Sequence, residues 1–153
     1  MRALRSPLCS AATARPRAIV TDASGLALDP IIDGAFAGRV AEMETAFAKA
    51  MAAGTYPGMI IASAQRQAAQ LHKARLLMDE GRSATEAMDS GFPRLHFSRK
   101  TLVETALRQA STERLLKTIA QLAEAAFDMR KQSDLAITIA QRALLSIAVN
   151  ARR

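Results

Sequence analysis

The chain has 153 residues and is half hydrophobic by count, so it can bury the core of one ordinary domain but hardly of two. Alanine dominates the apolar residues, aromatic residues make up only 4%, and tryptophan is absent, which favours close helix packing over a β-sandwich. The net charge is +7, but four arginines precede the first acidic residue, Asp22, and Arg152 and Arg153 end the chain. The body between them is only mildly basic, which permits contact with nucleic acid without demanding it.

The N-terminal 21 residues show no helical or strand period and are predicted to be an unstructured leader. They are rich in arginine and poor in acidic residues, as in a transit peptide, and they lack the apolar core of a secretory signal. Their single cysteine, Cys9, excludes an internal disulfide. No apolar run approaches the roughly 20 residues needed to span a bilayer, so we expect a cytoplasmic protein without a membrane contact.

Helix signals follow in order from residue 29 onward. Asp29-Pro30 predicts the start of a short first helix that stops near Gly38, because aspartate can cap and proline fits the first turn. The second helix is predicted from Val40 to Ala53, ahead of Gly54, and the third from about Pro57 to Asp79, ahead of Gly81. Ser83 and Glu86 form a capping box that opens a short fourth helix, which ends by Gly91.

Three further helices are predicted after an irregular link at residues 92–97. They cover about Arg99–Ala110, with Ser98 marking the start, about Ser111–Lys131, and a last helix capped by Ser133 or Asp134. The predicted fold is therefore all-α, a single bundle of about six to seven helices behind a disordered leader. We divide the chain into an unstructured leader at 1–21 and a helical domain at 29–153.

The last helix has an unusually broad apolar surface. Its predicted core stripe consists of Ile137, Ala140, Leu144 and Ile147. Leu135, Ile139 and Leu145 widen that stripe beyond what a surface helix needs. The pattern indicates a central helix, which we favour, or one that also meets a partner. Leu135, Ile139, Arg142 and Leu145 are the candidate subunit interface.

Two sets of side chains are candidates for catalysis. Glu124 and Asp128 lie four residues apart on one helix face, but neither histidine has the spacing of a di-metal bundle, and a solvated face is the favoured interpretation. His72 lies mid-helix without a recognisable nucleophile beside it. No phosphate-binding glycine loop is present in the sequence. We therefore expect no catalytic residue, metal, cofactor or small-molecule substrate.

A basic and aromatic cluster surrounds the start of the fifth helix, where free backbone N–H groups favour phosphate. Its members are the candidate DNA contacts: Arg94, His96, Phe97, Arg99 and Lys100. Phe97 or His96 can stack on an unpaired base, as in single-strand binders. The alternative, which the small footprint of the cluster favours, is that Phe97 fills the bundle interior while the charges stay hydrated.

Many short sequence features follow one another from Asp22 to the C-terminus, and no single one of them is specific. They include Asp22-Ala23-Ser24, Leu28-Asp29, Gln65-Arg66, Leu71-His72, Gly81-x-Ser83, Pro93, Phe97-x-Arg99-Lys100, Arg114-Leu115, Ala123-Glu124 and Arg142-Ala143-Leu144-Leu145. In order and spacing they resemble the C-terminal part of the delta subunit of the bacterial DNA polymerase III clamp loader. Ala110 departs from the family, which often has tryptophan before the serine, so looser packing is expected there.

The resemblance implies a helical collar domain in DNA replication that joins the gamma/tau and delta-prime subunits without catalysis of its own. Full-length members of the family are non-catalytic subunits of a DNA-directed DNA polymerase holoenzyme, and the holoenzyme is a nucleotidyltransferase. The resemblance also implies that residues 22–28 are a remnant of the preceding lid domain. The N-terminal ATPase-like, clamp-opening module has no counterpart in this sequence, so we expect a truncated gene to explain the leader better than targeting does. The alternative function is a small basic helical protein that binds primer–template or single-stranded DNA; a hydrolase or metal enzyme has no supporting residues.

Overall fold

The computed structural model describes the backbone of residues 17–153, and side chains from residue 25 onward except that of Leu26. Within that range the chain forms seven α-helices and no strand, which confirms the all-α prediction. The helices are α1 (Arg17–Phe36), α2 (Val40–Ala52), α3 (Pro57–Asp79), α4 (Ala84–Gly91), α5 (Phe97–Gln109), α6 (Thr112–Lys131) and α7 (Ala136–Ala151). A 3₁₀ turn at Ser133–Leu135 precedes α7.

The helix α7 packs against α1, α2, α3 and α6, as the breadth of its apolar surface predicts for a central helix. The helix α3 packs against α1, α4, α5, α6 and α7. The largest fully buried side chains come from α1, α2, α3, α5, α6 and α7, and they are mostly isoleucine and leucine. Small residues such as Ala64, Ala68 and Ala140 are completely buried between them, so the alanine content allows close approach of the helices.

Several predicted helix ends are confirmed by their hydrogen bonds. The Glu86 backbone N–H donates to Ser83 Oγ, and the Ser83 backbone N–H donates to the Glu86 carboxylate, each at 3.2 Å, which completes the capping box. Ser111 Oγ accepts from the Arg114 backbone N–H and caps α6. Gly54 and Gly81 have positive φ after α2 and α3, a conformation that favours glycine.

The predicted start of the first helix is wrong. The helix α1 already begins at Arg17 and passes through Pro30, so it crosses both predicted boundaries, 21/22 and 28/29, without a break. Pro30 is exposed, and Asp29 does not cap; its carboxylate instead contacts Arg99 on α5. The proline rule fails because it identifies a first turn only where the preceding residues are not helical. Residues 1–16 of the predicted leader lie outside the described part of the chain.

Two other predicted helix starts are corrected. His96, not Ser98, caps α5: the Ser98 backbone N–H donates to His96 Nδ1 at 3.3 Å, and the helix begins at Phe97. Neither Ser133 nor Asp134 caps α7 with its side chain, because both lie in the 3₁₀ turn. The buried stripe of α7 consequently starts at Ala136, and Ile137, predicted to be in the core, is 51% exposed.

The segment Ser133–Ala151 is long and apolar enough to cross a membrane by length and composition, so the expectation that no apolar run approaches that length is wrong. The core helix of a soluble protein has the same composition, and α7 packs against four other helices.

Candidate functional site

Phe97 is the most exposed large hydrophobic side chain of the basic and aromatic cluster. It is 82% exposed at the first position of α5, so the favoured expectation that it fills the bundle interior is wrong. Phe92, five residues earlier, is buried in its place. The Phe97 ring lies against the imidazole of His96, with ring centroids 4.5 Å apart and planes at 35°. The two rings form an outward-facing aromatic pair at the end of the α4–α5 link.

Arg99 is turned away from this pair and into the bundle. Its Nε donates to Asp33 Oδ2 at 2.7 Å and its Nη2 to Asp33 Oδ1 at 2.9 Å, a bidentate pair. Nη2 also donates to Gln67 Oε1 at 2.8 Å, and Nη1 lies 3.0 Å from Asp29 Oδ1. Every guanidinium nitrogen therefore has a partner within the protein, so the structure places Arg99 among the structural groups rather than with the exposed cations.

Gln67 closes the Arg99 network. Its Nε2 donates to Asp33 Oδ1 at 2.8 Å while its Oε1 accepts from Arg99, so both ends of the amide are used. The Asp33 side chain is only 2% exposed, and a buried carboxylate without partners would be strongly unfavourable. Among the described side chains, no buried nitrogen or oxygen lacks a hydrogen bond. The network joins α1, α3 and α5.

The ionisation of the Arg99 network follows from its burial. Loss of solvent raises the pKa of Asp29 above its ordinary value, and the nearby Asp33 raises it further, although the Arg99 charge acts in the opposite direction. The hydrogen bonds to Asp33 raise the pKa of Arg99, which therefore stays charged. Asp29 is thus a carboxylate held in an environment that disfavours its charge.

The other predicted DNA contacts remain on the surface. Arg94 and Lys100 are exposed, and neither forms an ion pair with a described side chain. Lys100 lies at the edge of a groove of about 270 Å³ that also includes Asp89 and Pro93. Without Arg99, the predicted cluster consists of an aromatic pair flanked by two free cations.

The predicted subunit interface is divided between exposed and half-buried positions. Leu135 is 49% exposed in the 3₁₀ turn, and Arg142 is exposed on α7. Ile139 and Leu145 are half-buried and pack partly against the core. With the exposed Ile137 and Val149, these residues leave a largely apolar outer face on a helix whose inner face is fully packed.

Glu124 and Asp128 line a groove of about 370 Å³ between α6 and α7, opposite Arg142. His72 is half-buried on α3 and does not line this groove. Within the described residues, no group of three His, Cys, Asp or Glu side chains is arranged to hold a metal ion. The groove presents two acidic groups and one cation to solvent.

The sequence did not identify Asp29, Asp33 and Gln67 as partners of Arg99. A signal was present, because Asp29 and Asp33 lie four residues apart on one helix face and need a shared cation to offset their repulsion. The partner itself is 66 residues away from Asp33, which no local pattern specifies. Comparisons with protein-family models, with curated proteins and with solved structures find no match to this chain.

Proposed function

We propose that this protein is a helical assembly module of the clamp-loader collar type, acting in the cytoplasm in DNA replication. It contributes no catalysis and binds the gamma/tau and delta-prime subunits through the outer face of α7. The ordered resemblance of its sequence features to the delta subunit supports this proposal, and the all-α bundle is of the type that the resemblance implies.

The observation that carries the proposal is the surplus of apolar surface on α7. This helix already satisfies four neighbouring helices with its inner face. Leu135 and Ile137 nevertheless remain about half exposed at one end, and Val149 is exposed at the other. The half-buried Ile139 and Leu145 lie between them, and exposed apolar side chains of this kind are typical of a protein–protein contact. Arg142 in the middle supplies a charge that can fix the orientation of the partner.

Gel filtration of the full chain with purified gamma/tau and delta-prime subunits tests the assembly proposal. We expect the chain to elute with those subunits. In a control run with serum albumin, an unrelated protein, we expect the chain to elute separately. A chain that elutes alone in the presence of both subunits, at concentrations above about 10 μM, contradicts the proposal.

The exposure of Phe97 favours a second candidate function, the binding of single-stranded or primer–template DNA. The Phe97–His96 pair offers a stacking surface, and Arg94 and Lys100 flank it with free positive charge. Stacking of one base on an aromatic side chain contributes about 1–3 kcal/mol. With only two cations, the expected salt dependence is shallow.

Fluorescence titration of labelled single-stranded DNA distinguishes this second function. Phe97→Ala is expected to weaken binding about tenfold, in line with the stacking contribution. Lys100→Glu is expected to weaken it and to reduce its dependence on salt. The matched control is Phe127→Ala, which removes an equally aromatic exposed side chain from α6. Equal losses in both phenylalanine variants contradict a DNA site at Phe97.

A further inference from the structure

The outer face of α6 carries an apolar stripe that is separate from the α7 face. Leu116, Ala120, Ala123 and Phe127 are all exposed, and Leu116 and Phe127 are each 52% exposed. Their spacing of four, three and four residues places them on one side of the helix, over a length of about 16 Å. The stripe has large residues at both ends and small residues in the middle.

Charged residues border the stripe in an order that brings opposite charges together when two copies of α6 lie antiparallel. Glu113 precedes the stripe and Arg130 follows it. Lys117 and Glu124 lie seven residues apart on one edge of α6, and Glu124 lines the groove beside α7. When a second α6 lies antiparallel, Leu116 meets Phe127 of the other copy, and the alanines meet at the centre. In the same register Glu113 faces Arg130, and Lys117 lies about 3 Å along the helix axis from the position opposite Glu124, within reach of its carboxylate.

We propose that this stripe is a self-association surface on which α6 of a second copy packs antiparallel. The resulting contact is isologous, with a two-fold axis between Ala120 and Ala123. The small side chains on the axis allow the two helices to approach closely. This self-association surface does not depend on the proposed collar function, because it uses α6 and not the outer face of α7.

The parallel arrangement is disfavoured by the same residues. It would place Glu113 against Glu113 and Arg130 against Arg130 at the two ends of the stripe, and like charges in direct opposition are destabilising. The Lys117–Glu113 ion pair within one copy, 2.7 Å long, joins two side chains that are each more than three-quarters exposed. Such an exposed pair is weak and exchanges readily for a contact across the interface.

A groove beside the stripe enlarges the self-association surface. It lies between α3 and α6, has a volume of about 330 Å³, and is lined by Tyr56, Met59, Ala126 and Arg130. Tyr56 and Met59 are exposed, so the apolar surface continues from Phe127 onto α3. One helix pair with this margin buries less than about 1,200 Å² in total, which corresponds to a weak, reversible dimer.

Sedimentation velocity of the full chain over a concentration series up to about 1 mM tests the self-association surface. We expect a reversible monomer–dimer equilibrium. Ala120→Arg places two buried charges on the two-fold axis and is expected to raise the dimer Kd more than about tenfold. Ala69→Arg, at an exposed position of α3, is the matched control and leaves the Kd unchanged. A chain that stays monomeric throughout, or a dimer insensitive to Ala120→Arg, overturns the proposal.

The antiparallel register is tested by exchanging charges. Lys117→Glu opposes Glu124 twice in each dimer and is expected to raise the Kd about tenfold. Lys117→Glu combined with Glu124→Lys restores the pairing and returns the Kd to within about twofold of the unmodified chain. A double variant as weak as the single one overturns this register. A monomeric chain whose Ala120→Arg variant loses binding to clamp-loader subunits assigns the stripe to those subunits and overturns self-association, while leaving the collar function intact.

Discussion

The guanidinium of Arg99 joins three helices through three hydrogen bonds, to Asp33 and Gln67, and an ion pair with Asp29. Because Arg99 lies in the first turn of α5, these contacts hold the start of that helix against α1 and α3. Phe97, two residues earlier, lies about 200° around the helix from Arg99 and stays in solvent. One half-buried side chain thus orients the first turn of α5.

Arg99→Lys tests this structural role. Lysine keeps the positive charge but cannot form the bidentate contact with Asp33 or reach Gln67 at the same time. We expect the free energy of unfolding to fall by about 2–3 kcal/mol, as measured by urea denaturation. Arg94→Lys, at an exposed position of the same link, is the control and should change stability by less than about 0.5 kcal/mol. Equal effects of the two substitutions would show that the Arg99 network does not stabilise the fold.

The raised pKa of Asp29 makes a prediction about pH. Because burial raises it in the folded protein, the native state holds more protons than the unfolded state between the unfolded pKa, about 3.9, and the higher native pKa. Asp29 therefore lowers stability as pH rises through that window. Asp29→Asn should remove this loss, so the difference in urea midpoint between variant and original should increase in the variant's favour from pH 4 to neutrality. A difference that is constant with pH, or of the opposite sign, contradicts the assignment.

At the scale of elements, the approach of α1 to α2 depends on Gly34. A Cβ atom at this position would lie 3.1 Å from the Met43 Cβ and 3.2 Å from the Met43 backbone, and backbone cannot move aside cheaply. Gly34→Ala is therefore expected to reduce stability by about 1–3 kcal/mol in thermal or urea unfolding. Gly25→Ala in the same helix meets nothing within 4 Å and should instead add up to about 1 kcal/mol through helix propensity. Stabilisation by both substitutions would contradict close packing of α1 on α2.

The extent to which these elements follow from sequence varies with the range of the contacts that define them. The helix α3 and the capping box of α4 are local, and both were predictable from proline, glycine and serine at helix ends. The start of α1 was not predictable, because a proline in the first turn of a helix and a proline at an exposed position in the middle of a helix look the same in the sequence. The side-chain partners of Arg99 and the exposure of Phe97 depend on the docking of α5 against α1 and α3, which is a long-range contact.

At the scale of the whole molecule, the bundle has a packed interior and two groups of exposed apolar side chains, one on α6 and one on α7. Within the described residues every buried side-chain nitrogen and oxygen has a hydrogen bond, and the exposed apolar side chains on α6 and α7 lie outside the buried core. The faces lie on neighbouring helices but are lined by different residues, with the acidic groove of Glu124 and Asp128 between them. This arrangement suits a protein that binds other proteins, and the α7 face is the one that we propose binds the clamp-loader subunits.

Calorimetric titration of gamma/tau into the unmodified chain, Arg142→Glu and Lys100→Glu tests this assignment most directly. Both substitutions reverse one exposed cation, but only Arg142 lies on the α7 face. We predict measurable binding that Arg142→Glu weakens at least about tenfold, or about 1.4 kcal/mol, while Lys100→Glu leaves it unchanged. Absence of binding by the unmodified chain, or equal weakening by both variants, would contradict it.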